Sequence, residues 1–112
     1  MKLSSINLSV QLDENNIPEK IMWDASDKPD TVNPETKAVS VSLWDEKTNN
    51  AMRIDLWTKE MSIDEMKRFY INSLGGMAQM ILNSTGDKFM AEETNLLVEK
   101  MVEYLKREQE EL

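Results

Sequence analysis

The chain has 112 residues, 40% of them hydrophobic, with 13 basic and 21 acidic side chains for a net charge of −8. Neither Cys nor His occurs, which excludes thiolate and imidazole nucleophiles, redox pairs and zinc sites of the usual type. The acid is spread along the whole chain and no basic stripe exists to neutralise phosphates, so nucleic acid and anionic membrane surfaces are poor partners.

The length suits one ordinary domain, residues 1–112, with enough apolar side chains for a modest core. No apolar run approaches the ~20 residues that span a bilayer. The first residues, MKLSSINLSVQLDE, alternate where a secretory signal would be continuously apolar, and no Cys is present to carry a lipid. A cytoplasmic location is therefore expected. The glycines, Gly75, Gly76 and Gly86, form no phosphate-cradling loop, and no cofactor is expected.

In chain order, Ile6, Leu8, Val10 and Leu12 alternate with polar residues as in a half-buried strand. DENNIPE is rich in turn formers, and KIMWDA reads as a return strand. Residues 5–25 are thus a hairpin whose long connection predicts a bulge or a flared end. Residues 24–37, DASDKPDTVNPETK, read as an irregular surface loop.

A second hairpin is plainer. Val39, Val41 and Leu43 alternate with Ser40, Ser42 and Trp44, and Met52, Ile54 and Leu56 alternate with Arg53, Asp55 and Trp57. Only registers in which paired residue numbers sum to an odd number keep the faces consistent. A sum of 97 pairs Leu43 with Ile54 and Trp44 with Arg53, whose guanidinium would then stack on the ring. A sum of 95 competes closely, and the turn residues alone do not decide.

Two helices follow. Ser62 and Glu65 match a capping box, with Asp64 at the positive end of the dipole. Ile63, Met66, Tyr70, Leu74, Met77 and Ile81 recur at helical spacing. Gly75-Gly76 interrupts them, at a cost of roughly 0.5–1 kcal/mol each, which predicts a kink or a close backbone approach. Gly86 suits a left-handed cap. The second helix is expected from about Lys88 to Glu108, with a Leu97, Met101, Leu105 stripe and a Glu103–Arg107 pair, then a frayed tail, REQEEL. The predicted class is α+β: a four-stranded antiparallel sheet of two hairpins, followed by two helices packed on one face, in ββββαα order. Leu43, Ile54, Leu56, Met66, Tyr70 and Leu97 are the expected core.

If that face is the inner one, Trp44 and Trp57 point outward, with Arg53 and Asp55 between them. Trp and Arg are enriched at the energetic centres of interfaces. Trp44, Arg53, Asp55 and Trp57 are accordingly the candidate partner-binding residues. The 24–37 loop covering the rings, self-association and a different protein partner are the three readings open at this point.

Other constellations carry less. Asp13-Glu14, Asp45-Glu46 and Asp64-Glu65 fall at turns or a helix start, where acids serve structure, so no catalytic residue is expected. DASDKPD spaces its acids like a calcium loop but lacks that motif's central Gly and final Glu. Nine methionines are read mainly as core, Met66, Met77 and Met101 among them, with an adaptable binding surface as the alternative.

The stretches VQLDENNIPEKIMWDASD and AMRIDLWTKEMSIDEMKRFY, together with SLWDEK and MAQMILNSTGDKFM, resemble the gliding motility-associated protein C (GldC) family of Bacteroidetes. The resemblance implies a small accessory protein with no enzymatic activity. It implies a link with the gliding machinery, which shares components with type IX secretion, and the gliding-associated lipoprotein B as a neighbour. The first expected function is an adaptor acting through protein contacts, possible homo-oligomer included. The second is a holdase-like export chaperone, by architectural analogy to the SecB type. An enzyme working through carboxylates ranks last.

Overall fold

The computed structural model describes residues 1–110. The chain forms two compact units, Met1–Ser62 and the segment from Ile63 onward. The first is all β: β1 (Ile6–Leu12), β2 (Pro18–Ala25), β3 (Glu35–Thr36), β4 (Ala38–Asp45) and β5 (Asn50–Trp57). The second is a helical hairpin, α1 (Ile63–Thr85) and α2 (Lys88–Glu110).

The α+β class and the strands-then-helices order are as expected, but a single four-stranded sheet is not what forms. Three strands pair in the order β1-β2-β3 and two in the order β4-β5. A short strand, β3, forms inside the expected 24–37 loop, and the pairing breaks at Lys37, just ahead of the strand expected from Val39. Glu35 and Thr36 pair with Met22 and Ile21 of β2, whereas Ala38 to Asp45 pair with β5. The break is held by Thr36, whose hydroxyl donates to the Ala38 carbonyl (3.0 Å), and by the Thr58 N–H, which donates to the Lys37 carbonyl (2.8 Å). Turning at Lys37 lets one chain segment serve two sheets in succession.

The first hairpin carries the expected bulge. Gln11 pairs with Lys20 but Leu12 with Pro18, so one residue of β2 is extra. Its connection is built by Asp13, whose carboxylate accepts from the Asn15 (2.8 Å) and Ile17 (3.0 Å) N–H groups, and by Asn16 in the left-handed region at φ 63. Residues 24–37 contain β3, and they return to β2: the Trp23 N–H donates to the Pro34 carbonyl (2.8 Å). Lys28 lies over the Trp23 ring at 5.6 Å.

The second hairpin takes the register summing to 95: Val41 faces Ile54, Leu43 faces Met52 and Ser42 faces Arg53. The deciding element is Asp45. Its carboxylate accepts from the Thr48 hydroxyl (2.7 Å) and the Lys47 N–H (3.4 Å), and Asn49 adopts φ 51. A four-residue connection closed by the Asp45/Asn50 pair results. Arg53 therefore stands across from Ser42, and Trp44 stands across from Ala51, not Arg53.

The core of the β unit is smaller than expected. Ile21, in central strand β2, is fully buried, with Ala38 and Thr58 close behind. Leu56 is half-buried, but Leu43 and Ile54 are 57% and 53% exposed. Burial fades along the second hairpin from Val39/Leu56 toward its turn. Salt links add support: Lys59 Nζ lies 3.1 Å from both Asp13 and Glu19.

In the helical unit, α1 begins directly after Ser62, as the capping pattern predicts. It runs without a break through Gly75-Gly76, and a Cβ at either glycine would meet nothing within 4 Å. The close approach is not present. The turn between the helices is Gly86-Asp87. Gly86, at φ +72, donates its N–H to the Leu82 carbonyl (2.9 Å), and Asp87 caps α2 by accepting from the Met90 N–H (3.0 Å). Helix α2 continues to Glu110 instead of fraying from Arg107, because its last turn is tied to the start of α1. Lys67 Nζ meets Glu108 at 2.8 Å and the Gln109 amide donates to Asp64 (3.3 Å). The last two residues of the expected tail lie outside the described ones. Glu103 pairs with Lys106 at 4.0 Å, not with Arg107. Ala78 and Ala91 are the buried residues. Met66 and Met101 are half-buried, but Met77, Tyr70 and Leu97, expected in the core, are exposed.

Candidate contact face

The face of β4–β5 opposite Val41 and Ile54 is a ladder of four cross-strand pairs: Ala38/Trp57, Ser40/Asp55, Ser42/Arg53 and Trp44/Ala51. Period-2 alternation puts all eight side chains on one side. A tryptophan thus stands at each end, one on each strand, each across from an alanine. Six residues along a strand separate the two ends, about 20 Å at ~3.3 Å per residue. Trp44 is 67% exposed and Trp57 49%. Both rings keep exposed surface, and the 24–37 segment hydrogen-bonds back to Trp23.

Between the tryptophans the polar side chains are closed on one another. Arg53 donates to both carboxylate oxygens of Asp55, at 3.3 Å from Nε and 3.0 Å from Nη2. It also donates to the Ser42 hydroxyl (3.1 Å) and the Ser40 hydroxyl (2.7 Å). A planar guanidinium satisfied by a fork to one carboxylate is rigid as well as charge-compensated. The Arg53 hydrogen bonds, and after them Ser40, hold the Asp55 carboxyl below its ordinary 3.8. Arg53 and Asp55 are thus partners within the chain.

The four sequence-predicted residues therefore share one face. Arg53 and Asp55 are brought into contact, and Trp44 and Trp57 are held apart as end posts. Sequence reasoning missed the two serines as acceptors of Arg53, because the register summing to 97 sets them across from Asp55 and Trp57. It also missed a shallow groove of about 240 Å³ beside Trp57, lined by Ile17, Pro18, Asp55, Leu56 and Lys59. The Lys59 N–H closes it by donating to the Pro18 carbonyl (3.0 Å), a contact between distant segments that leaves no local sequence signal.

Chemically the face offers aromatic surface, two neutralised charges and hydroxyls. Among the described residues, no three acidic side chains come together in a group that could hold a metal ion. The Asp13 and Asp45 carboxylates are engaged by turn N–H groups and by Lys59 or Thr48. Among the described residues no helix is long and apolar enough to cross a membrane.

Fold and face define a small α+β protein that presents a tryptophan-ended β-hairpin surface. A family model described as gliding motility-associated protein GldC-like matches residues 18–107, and the chain belongs to that family. The match begins at the first residue of β2 and so leaves out β1. Membership associates the chain with gliding motility. No curated protein and no solved structure matches the chain.

Proposed function

We propose that this protein is a non-enzymatic, cytoplasmic accessory protein of the gliding machinery that holds a partner protein on the β4–β5 face. One observation carries the reading: two exposed tryptophan rings flank a polar network that is already closed in the free chain. Large rigid aromatics give contact area at little entropic cost, and a pre-ordered arginine loses no further freedom on binding. The neutralised centre excludes a partner recognised by charge alone and suits one presenting apolar side chains about 20 Å apart, the span of six strand residues.

The test compares wild type with Trp57→Ala and Trp44→Ala in binding to purified gliding-associated lipoprotein B. Loss of an aromatic anchor often costs ~2 kcal/mol, roughly 30-fold in affinity. Both variants should stay folded, with at most a modest fall in melting temperature, because each ring is only partly buried. Unchanged affinity in both variants sinks the assignment of this face. Suppression of aggregation of many unfolded polypeptides, with no single preferred partner, would favour the holdase reading, to which the many exposed apolar side chains also lend themselves.

A further inference from the structure

The helical hairpin has a mainly polar side, interrupted by the exposed Leu82 and Leu96, and a mainly apolar side. Ala78 and Ala91 are buried and mark the line along which α1 and α2 meet. At about 100° per residue, Tyr70 and Met77 lie some 80–100° to one side of that line on α1. Met90, Leu97 and Tyr104 lie some 100–140° to one side of it on α2. Because the helices are antiparallel, both sets turn to the same side of the hairpin. Arg68, Asn72 and Gln79 with Glu92, Glu99 and Glu103 occupy the opposite side.

The apolar side is organised in rows. The Lys67–Glu108 ion pair and the approach of Lys67 to the Tyr104 ring at 6.0 Å set the level of one helix against the other. Carried along the antiparallel pair at an equal rise per residue, that level sets Tyr70 at the height of Tyr104, Met77 at that of Leu97, and Ser84 at that of Met90. Positions 70, 77 and 84 and positions 90, 97 and 104 each recur at seven residues, the repeat that keeps a seam in register with another helix of the same repeat. These rows are solvent-facing: Tyr70, Met77, Leu97, Met90 and Tyr104 are 38–56% exposed.

We infer that a second copy of this chain packs on this side, and that the two hairpins form an antiparallel four-helix bundle. Three features select a second copy. The charge beside the rows, Lys67 and Glu108, is already paired within the hairpin, so nothing in them calls for a charged partner. The seven-residue repeat asks for a surface of the same period, which the chain itself supplies. The size is also sufficient: helices of 23 residues are ~35 Å long and packed ~10 Å apart, so each face covers ~700 Å² and two cover ~1,400 Å², within the ~1,200–2,000 Å² of stable interfaces. A two-fold axis through the Met77/Leu97 row seats the tyrosine row of each copy on the smaller Ser84/Met90 row of the other, which makes the surface its own complement.

The absence of cysteine permits a direct test on the full chain. Light scattering should give twice the 13.0 kDa of the chain. Leu97→Cys should form a covalent dimer on mild oxidation, and Glu99→Cys, two residues away on the polar side, should not. Leu97→Asp should reduce the mass to that of one chain; if that variant instead unfolds, the cysteine pair still decides. The dimer should persist in Trp57→Ala, which separates this interface from the β4–β5 face. A wild type of single-chain mass at about 100 µM, where even a micromolar dimer is populated, overturns the inference. So does crosslinking through Glu99→Cys equal to or above that through Leu97→Cys.

Discussion

Truncating Ile21 should damage the protein far more than truncating Ile54, although both are isoleucines in apolar phases of their strands. Ile21 has no exposed surface and lies in β2, between β1 and β3. Ile21→Ala removes buried methyl and methylene groups and leaves a cavity, which costs ~2–5 kcal/mol. Ile54 is 53% exposed, so about half of the ~1.5–3 kcal/mol available from complete burial is present, and Ile54→Ala should cost ~1 kcal/mol. At ~4–8 °C per kcal/mol for a domain of this size, the first variant should melt at least ~8 °C below wild type and the second ~4–8 °C below it. Urea denaturation read by tryptophan fluorescence measures both, with Trp23 in β2 reporting near Ile21. An Ile54→Ala loss equal to or larger than that of Ile21→Ala would mean that the Val41/Ile54 face is the true interior, and the reasoning from burial would fail.

Glycine substitutions should have opposite signs at two places. Gly75→Ala and Gly76→Ala add a Cβ into open space and should stabilise α1 by about 0.5–1 kcal/mol each, whereas Gly86→Ala, at φ +72, should cost about 1–2 kcal/mol; differential thermal melts would show both. Acid should weaken the fold through four carboxylates. Asp13 is held low by the Ile17 N–H, Asp45 by the Thr48 hydroxyl, Asp55 by Arg53 and Glu108 by Lys67. Their contributions are complete above the ordinary 3.8 and 4.5 and are lost as pH falls through the lowered folded-state values, so the melting temperature should fall below about pH 4.5. The opposite sign holds for Lys59, raised by Glu19 and Asp13: its contribution is complete below the ordinary 10.5 and is lost as pH rises through the raised value. A Lys59→Met variant should abolish that alkaline component without altering the acid limb of Glu108.

Alternation and helical spacing made the elements legible, and single side chains acting across distance made the rest illegible. Both registers of the second hairpin keep Val41 and Ile54 on one face, so the apolar pattern cannot choose between them; the Asp45 carboxylate chooses by building a four-residue turn. β3 is two residues long, too short for any period to register. The extension of α2 to Glu110 depends on Lys67 and Asp64, 41 and 45 residues away from their partners. The contact face was legible in membership, because Trp44, Arg53, Asp55 and Trp57 share a phase in any odd-sum register. Its internal geometry was not, because the acceptors of Arg53 follow from the register.

That geometry changes what the arginine contributes. An unpaired Arg53 would favour an acidic partner by long-range attraction, and binding would weaken with salt. Closed on Asp55, Ser40 and Ser42, it presents little net charge and instead fixes the plane between the two rings. Affinity for a partner on this face should therefore be nearly independent of ionic strength, because the work is done by Trp44 and Trp57. Asp55→Asn tests this on the intact chain. It keeps the shape but leaves the guanidinium charge uncompensated, so it should introduce a salt dependence that wild type lacks, with a melting temperature close to wild type because the pair is partly exposed. Wild-type binding that already weakens steeply with salt would show that charge, and not the spaced tryptophans, selects the partner.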